Sequence, residues 1–92
     1  MMDSVQRLQI HGRVQGVGYR WAMVVQARRL GVRGWVRNRR DGSVEAMVAG
    51  TAQALEAMVA WAGQGPRSAM VARVEVLAGD GEFEAFELRS TA

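Results

Sequence analysis

The chain has no cysteine, no lysine, one histidine (His11) and one proline (Pro66). Without cysteine there is no disulfide framework, no thiolate nucleophile and no thiolate metal ligand. Chemistry that needs a lysine is excluded as well. A lone imidazole is too few for a metal centre of the common histidine type, so neither a metal site nor a cofactor is expected. No stretch approaches the roughly 18 consecutive apolar residues of a membrane-spanning helix. The opening MMDSVQRLQI is too polar for a secretory signal, so the expectation is a soluble cytoplasmic protein.

What is present fits one small domain. The 92 residues, 49% of them hydrophobic, predict a single unit over residues 1–92 with one modest core and one face of a sheet left wet. All twelve basic residues are arginines, and they are unevenly placed. Residues 1–40 carry nine arginines against one acid, Asp3, for a charge of +8; residues 41–92 carry three against eight acids, for −5. The basic half predicts an anionic partner, either a small phosphate compound or a nucleic acid.

Residues 5–11 alternate, with Leu8 and Ile10 on one side and Arg7, Gln9 and His11 on the other, which predicts a half-buried strand. A glycine-rich loop follows, then a helix over 20–30 with Met23, Ala27 and Leu30 on its apolar stripe and Gly31 as its C-cap. Strands are expected at 32–38 and 44–49, joined by a turn at Arg40-Asp41-Gly42. Thr51 is placed to cap a second helix ending at Ala62, with Leu55 and Met58 on its stripe. A strand at 71–77, a turn at AGDGE and a last strand over 83–89 complete the chain. Two helices and alternating strands must share one core. The pattern therefore predicts an α+β, ferredoxin-like split β-α-β sandwich, with both helices on one face of a mostly antiparallel sheet of four or five strands. A right-handed crossover then makes the first two strands parallel, with the third lying antiparallel between them. Their C-terminal ends share one sheet edge, which brings loop 13–19 to Asn38.

The loop, GRVQGVGYR over residues 12–20, fits neither the G-x-G-x-x-G dinucleotide fingerprint nor a Walker P-loop. Glycines at 12, 16 and 18 let consecutive N–H groups curl inward as an anion nest at a helix N-terminus. The same spacing also serves a plain strand-to-helix connection. Arg20 in the first helical turn opposes the helix dipole by about 0.3–1 kcal/mol, a cost that a bound anion reverses. Such an arginine also has the plain use of pointing into water. Asn38 is a common turn residue whose amide can donate to a substrate oxygen while accepting from a water. An oxyanion cradle, a cation and a neutral water-holder, without base, thiol or metal, suit a substrate with a good leaving group. An acyl phosphate departs as a carboxylate, whose conjugate acid has a pKa of about 4, so no proton has to be supplied. Phosphoryl transfer then asks mainly for positioning and charge stabilisation.

GRVQGVGYR, followed by GWVRNRRDGSVE, closely resembles the acylphosphatases, with their G-x-V-Q-G-V-x-F/Y-R loop and G-W-V-x-N…D-G-x-V-E hairpin, and the resemblance runs from Leu8 to about Leu88. It implies cofactor-free hydrolysis of acyl phosphates to a carboxylate and inorganic phosphate. Carried over by motif position, Arg20 would bind the phosphoryl group beside the backbone N–H groups of Gln15, Gly16, Val17, Gly18 and Tyr19. Asn38 would orient the attacking water. Arg39 stands where many animal members carry threonine, and Tyr19 where phenylalanine is commoner. The implied partners are a small acyl phosphate and, as product-like ligands, inorganic phosphate or sulfate; a monomer without nucleic-acid or membrane partners is expected.

The other reading of the same plan is a non-catalytic binding module, RNA-binding or regulatory. RNA-recognition domains need exposed aromatics on the central strands, and Gln9, His11, Glu45 and Met47 supply none. His11 reads as a surface residue, and Trp35 and Trp61 as packing. Trp21 falls near the mouth of the site as a candidate acyl contact. Arg37, Arg39 and Arg40 read as a solvated hairpin tip that could also steer anions.

Overall fold

Strict alternation in the first segment builds a long strand, β1 (Ser4–Arg13), whose Leu8 and Ile10 are fully buried. The computed structural model describes residues 3–92 of the chain. Helix α1 (Tyr19–Leu30) buries Tyr19, Met23, Val24 and Ala27, and Gly31 caps its C-terminus in the left-handed region at φ 72°. Strands β2 (Arg33–Asn38) and β3 (Val44–Gly50) form the expected hairpin. Helix α2 (Ala52–Ala62) follows, and the Ala54 N–H donates to the Thr51 side chain at 3.1 Å, so Thr51 is the N-cap the sequence predicts. Strands β4 (Met70–Ala78) and β5 (Phe86–Leu88) complete the chain.

The sheet order is β4-β1-β3-β2-β5, antiparallel throughout except for the parallel β2–β5 pair. Because β3 runs antiparallel to both β1 and β2, those two strands point the same way and their C-terminal ends lie along one edge. Helix α1 packs on β2 and β5, α2 packs on β1 and β3, and the helices touch each other. Leu8, Ile10, Val36, Val44, Ala46, Val48, Val24, Leu55, Met58 and Phe86 form the core between the layers. This is the ferredoxin-like α+β sandwich.

Two expectations need correction. The last strand covers only Phe86–Leu88, not 83–89, because β4 and β5 occupy opposite sheet edges and the chain between them must cross the sheet. It crosses on the face away from the helices, where Gly79 lies against Met47 and its N–H donates to the Val5 carbonyl at 3.1 Å. That face is not wet along its centre either: the crossing chain covers Met47, and Arg7, Arg37 and Arg39 close over Glu45. Every residue of β3 is buried, including Glu45, Met47 and Ala49 on the helix-free side.

Candidate active site

The β1–α1 loop owes its shape to two glycines. Gly16 (φ 72°) and Gly18 (φ 78°) are left-handed, and a Cβ at either would meet nothing within 4 Å, so backbone conformation alone asks for glycine there. Between them the Val17 carbonyl accepts from the Ser68 hydroxyl at 2.8 Å, which ties the loop to the segment between α2 and β4. None of the Gln15, Gly16, Val17 and Gly18 N–H groups donates to another described residue. Helix α1 starts with no side-chain cap and no acidic residue in its first turn. Unpaired loop amides and the open N-terminus of a helix together make an anion cradle.

Tyr19 holds this helix start in place. Its ring is buried and tilted against Trp61 at 5.5 Å, and its hydroxyl donates to the Ala62 carbonyl at 2.7 Å. Burial pushes the phenol well above its usual pKa, so it remains a donor. The side chain of Gln15 supplies a second anchor that sequence reasoning missed. Its Nε2 donates to the carbonyls of Arg39 (2.7 Å) and Ser43 (2.8 Å), stapling the loop to the base of the β2–β3 turn. That turn is tightened by Asp41, whose Oδ1 accepts from the Ser43 hydroxyl (2.6 Å) and N–H (2.9 Å); these bonds hold its carboxyl below the usual range. A glutamine inside a glycine-rich loop gives no local sign that it reaches across 24 positions.

The staple brings Asn38, the last residue of β2, to the loop. A cavity of about 150 Å³ is lined by Val14, Gly16, Gly18, Tyr19, Arg20, Trp21, Asn38 and Leu88. Arg20 forms no ion pair among the described residues, and its Nη1 meets only the Arg89 carbonyl, at 3.4 Å. The side-chain oxygen of Asn38 is buried without a hydrogen-bond partner. An orphaned amide oxygen of this kind costs about 1–3 kcal/mol unless something donates to it. A larger hollow of about 300 Å³ lies by Gly34 and Arg89, but Glu82, Glu84 and Glu87 line it and would repel an anion. Among the described residues no group of three or more histidine and acidic side chains is placed to hold a metal ion.

The sequence profile of the family described as Acylphosphatase matches residues 6–88. The chain belongs to the acylphosphatase family. With that family it belongs among the hydrolases of acyl phosphates. Over 81 residues it is 60% identical to an acylphosphatase of Cupriavidus pinatubonensis, a match that spans 88% of this chain and 90% of the relative. Its fold superposes on a crystal structure of acylphosphatase from Bacillus subtilis with a TM-score of 0.89 and 31% identity, covering 96% of this chain and 99% of the other. An acylphosphatase from Coxiella burnetii gives a TM-score of 0.91 at 27% identity, covering 95% and 93%.

Of the residues singled out in the acylphosphatase motifs, Gly16, Gly18, Tyr19, Arg20 and Asn38 line one cavity, whereas Gln15 and Val17 contribute to the loop without lining it. The arginine cluster at the hairpin is not the solvated tip expected. Glu45, 1% exposed, takes the Arg37 guanidinium at 2.7 and 2.8 Å, Arg39 at 3.1 Å and Arg7 at 3.4 Å, and only Arg40 stands in solvent. A carboxylate this deeply buried on β3 needs counter-charge, and β1, β2 and the turn after β2 supply it. Burial would raise the Glu45 carboxyl, but the hydrogen bonds and charges of Arg37 and Arg39 outweigh it and hold the group below its usual range. Trp35 packs as expected, though on the helix-free face, between the guanidinium groups of Arg37 (4.7 Å) and Arg89 (5.0 Å). His11 is half-buried and meets Glu75 on β4 at 2.6 Å.

Proposed function

We propose that the chain hydrolyses acyl phosphates by direct attack of water on phosphorus, in the cavity between the β1–α1 loop and the tip of β2. The N–H groups of residues 15–20 and the Arg20 guanidinium grip the non-bridging phosphoryl oxygens. Charge that spreads over those oxygens in a loose transition state meets donors already in place. The Asn38 side-chain oxygen accepts a hydrogen bond from the attacking water and so aims the water's lone pair at phosphorus. The new P–O bond forms as the bond to the acyl oxygen breaks, and the electron pair leaves with the carboxylate. A leaving group whose acid has a pKa of about 4 needs no proton, and the water's proton stays with the phosphate product. Neither metal nor cofactor enters any step, and every group named comes from one chain, so a monomer suffices for the chemistry.

The observation that carries this reading is one cavity holding three unmet needs: unpaired loop amides, an arginine with no acid beside it, and an orphaned asparagine oxygen. A tetrahedral anion with a water behind it answers all three. The test is hydrolysis of benzoyl phosphate with a chelator present, by the wild type and by Arg20→Ala. Full wild-type turnover is expected, with the variant folded but at least a hundredfold slower and no longer binding inorganic phosphate, as for removal of a main transition-state donor. Phosphate binding without turnover in the wild type would leave a binding module, and undiminished turnover in the variant would remove Arg20 from the mechanism.

A further inference from the structure

We infer that Trp21 and Leu88 form a subsite for the acyl group, and that it selects flat apolar acyl chains, aromatic ones above all. The inference rests on the hydrolytic reading above and extends it to the half of the substrate that leaves. Both side chains line the same cavity as Arg20 and Asn38. Both are unusually open for their type, Trp21 61% exposed and Leu88 43%. The other exposed large hydrophobic side chains among the described residues are Val25, one turn beyond Trp21 on α1 and outside the cavity lining, and Met70, Val76 and Leu77 on β4 at the opposite edge of the sheet.

Helical geometry accounts for the pairing. Tyr19, Met23 and Ala27 recur every four residues and give α1 its buried face, which leaves Trp21 off it. Arg28, seven residues on and therefore above Trp21, reaches the Phe86 carbonyl on β5 at 3.4 Å. The side of α1 that carries Trp21 thus faces β5, and Leu88 lies two residues beyond Phe86 on that strand. The cavity has a polar end, with loop amides, Arg20 and Asn38, and an apolar lip of one indole and one isobutyl group. A phosphoryl group held at the first end must send its acyl substituent past the second or out into water. An aromatic acyl group laid on the indole removes apolar surface from water on both partners and gains ring–ring contact as well. An acetyl group is too short to cover it.

The subsite is tested on kcat/KM for benzoyl phosphate and for acetyl phosphate, in the wild type, Trp21→Ala, Trp21→Phe and Leu88→Ala. Since Trp21 is largely in solvent, the substitutions leave the fold standing. The benzoyl-to-acetyl ratio should fall about tenfold in Trp21→Ala, mainly through KM, and about threefold in Leu88→Ala; Trp21→Phe should restore most of it. A ratio within twofold of wild type in both alanine variants overturns the subsite. Inhibition by phenylphosphonate against methylphosphonate gives a readout without turnover, and the same loss of preference is expected in Trp21→Ala. If the wild type hydrolyses neither acyl phosphate, the hydrolytic reading falls, and the phosphonate pair still decides the subsite: equal loss for both phosphonates removes it.

Discussion

Asn38 carries a side-chain oxygen that the fold buries and leaves without a partner; Gln6 Oε1 and Arg33 Nε share that state, but of the three only Asn38 lines the cavity that holds Arg20 and the loop glycines. Its neighbour in the cavity, Arg20, sits where a helix dipole disfavours a cation. Both look unfavourable in the free protein and become favourable once an anion and a water are present. Asn38→Ala should therefore lower kcat by about 100- to 1000-fold, the range seen when one oriented polar group is removed from a transition state. The dissociation constant for inorganic phosphate should move by less than about twofold, since the cradle and Arg20 remain. Urea melts should find the variant no less stable than wild type, because the buried unpaired oxygen is gone. A parallel weakening of phosphate binding would make Asn38 an anion ligand instead of a holder of water.

The β2–β3 hairpin that carries Asn38 is braced on two sides. Gln15 ties its turn to the loop, and Glu45 on β3 gathers Arg7 from β1, Arg37 from β2 and Arg39 from the turn after β2. The Glu45 carboxyl is held below its unfolded value, so the unfolded chain takes up the proton first. Its contribution is complete above about pH 4.3 and is lost as pH falls through the lower, folded value. The arginines keep partial access to solvent and can rehydrate when the acid is removed. Glu45→Gln should therefore cost only about 1–2 kcal/mol at pH 7, less than the loss of a fully buried pair. Denaturant melts at pH 7 and at pH 3.5 check this: the deficit should shrink at the lower pH, where the unfolded wild-type chain already binds a proton at Glu45 and folding must release it.

Across the entire chain one histidine is the only side chain with an ordinary pKa between 5 and 8, and it meets Glu75 on β4. It does not line the cavity that holds Arg20 and Asn38. Turnover of benzoyl phosphate should accordingly be flat in kcat between about pH 6 and 8, and a bell-shaped profile there would reveal an acid or base that the mechanism omits.

The strand and helix pattern was readable because a small two-layer domain has only one way to bury alternating strands and two striped helices, and Leu8, Ile10, Met23, Leu55 and Met58 all lie where their spacing puts them. The glycine loop left a local mark, because left-handed φ restricts residue type, whereas Arg20 and Asn38 each had a plain local use and were singled out by their places in the GRVQGVGYR and GWVRN motifs; the fold puts both on one cavity. Contacts made over long separations left no such local mark. Gln15 bonding to Ser43, Trp21 and Leu88 lining one cavity, three arginines closing on Glu45, and residues 79–85 crossing the sheet depend on which strands become neighbours. Side-chain periodicity along a strand says which face a residue takes, and only the packed molecule says what stands opposite it.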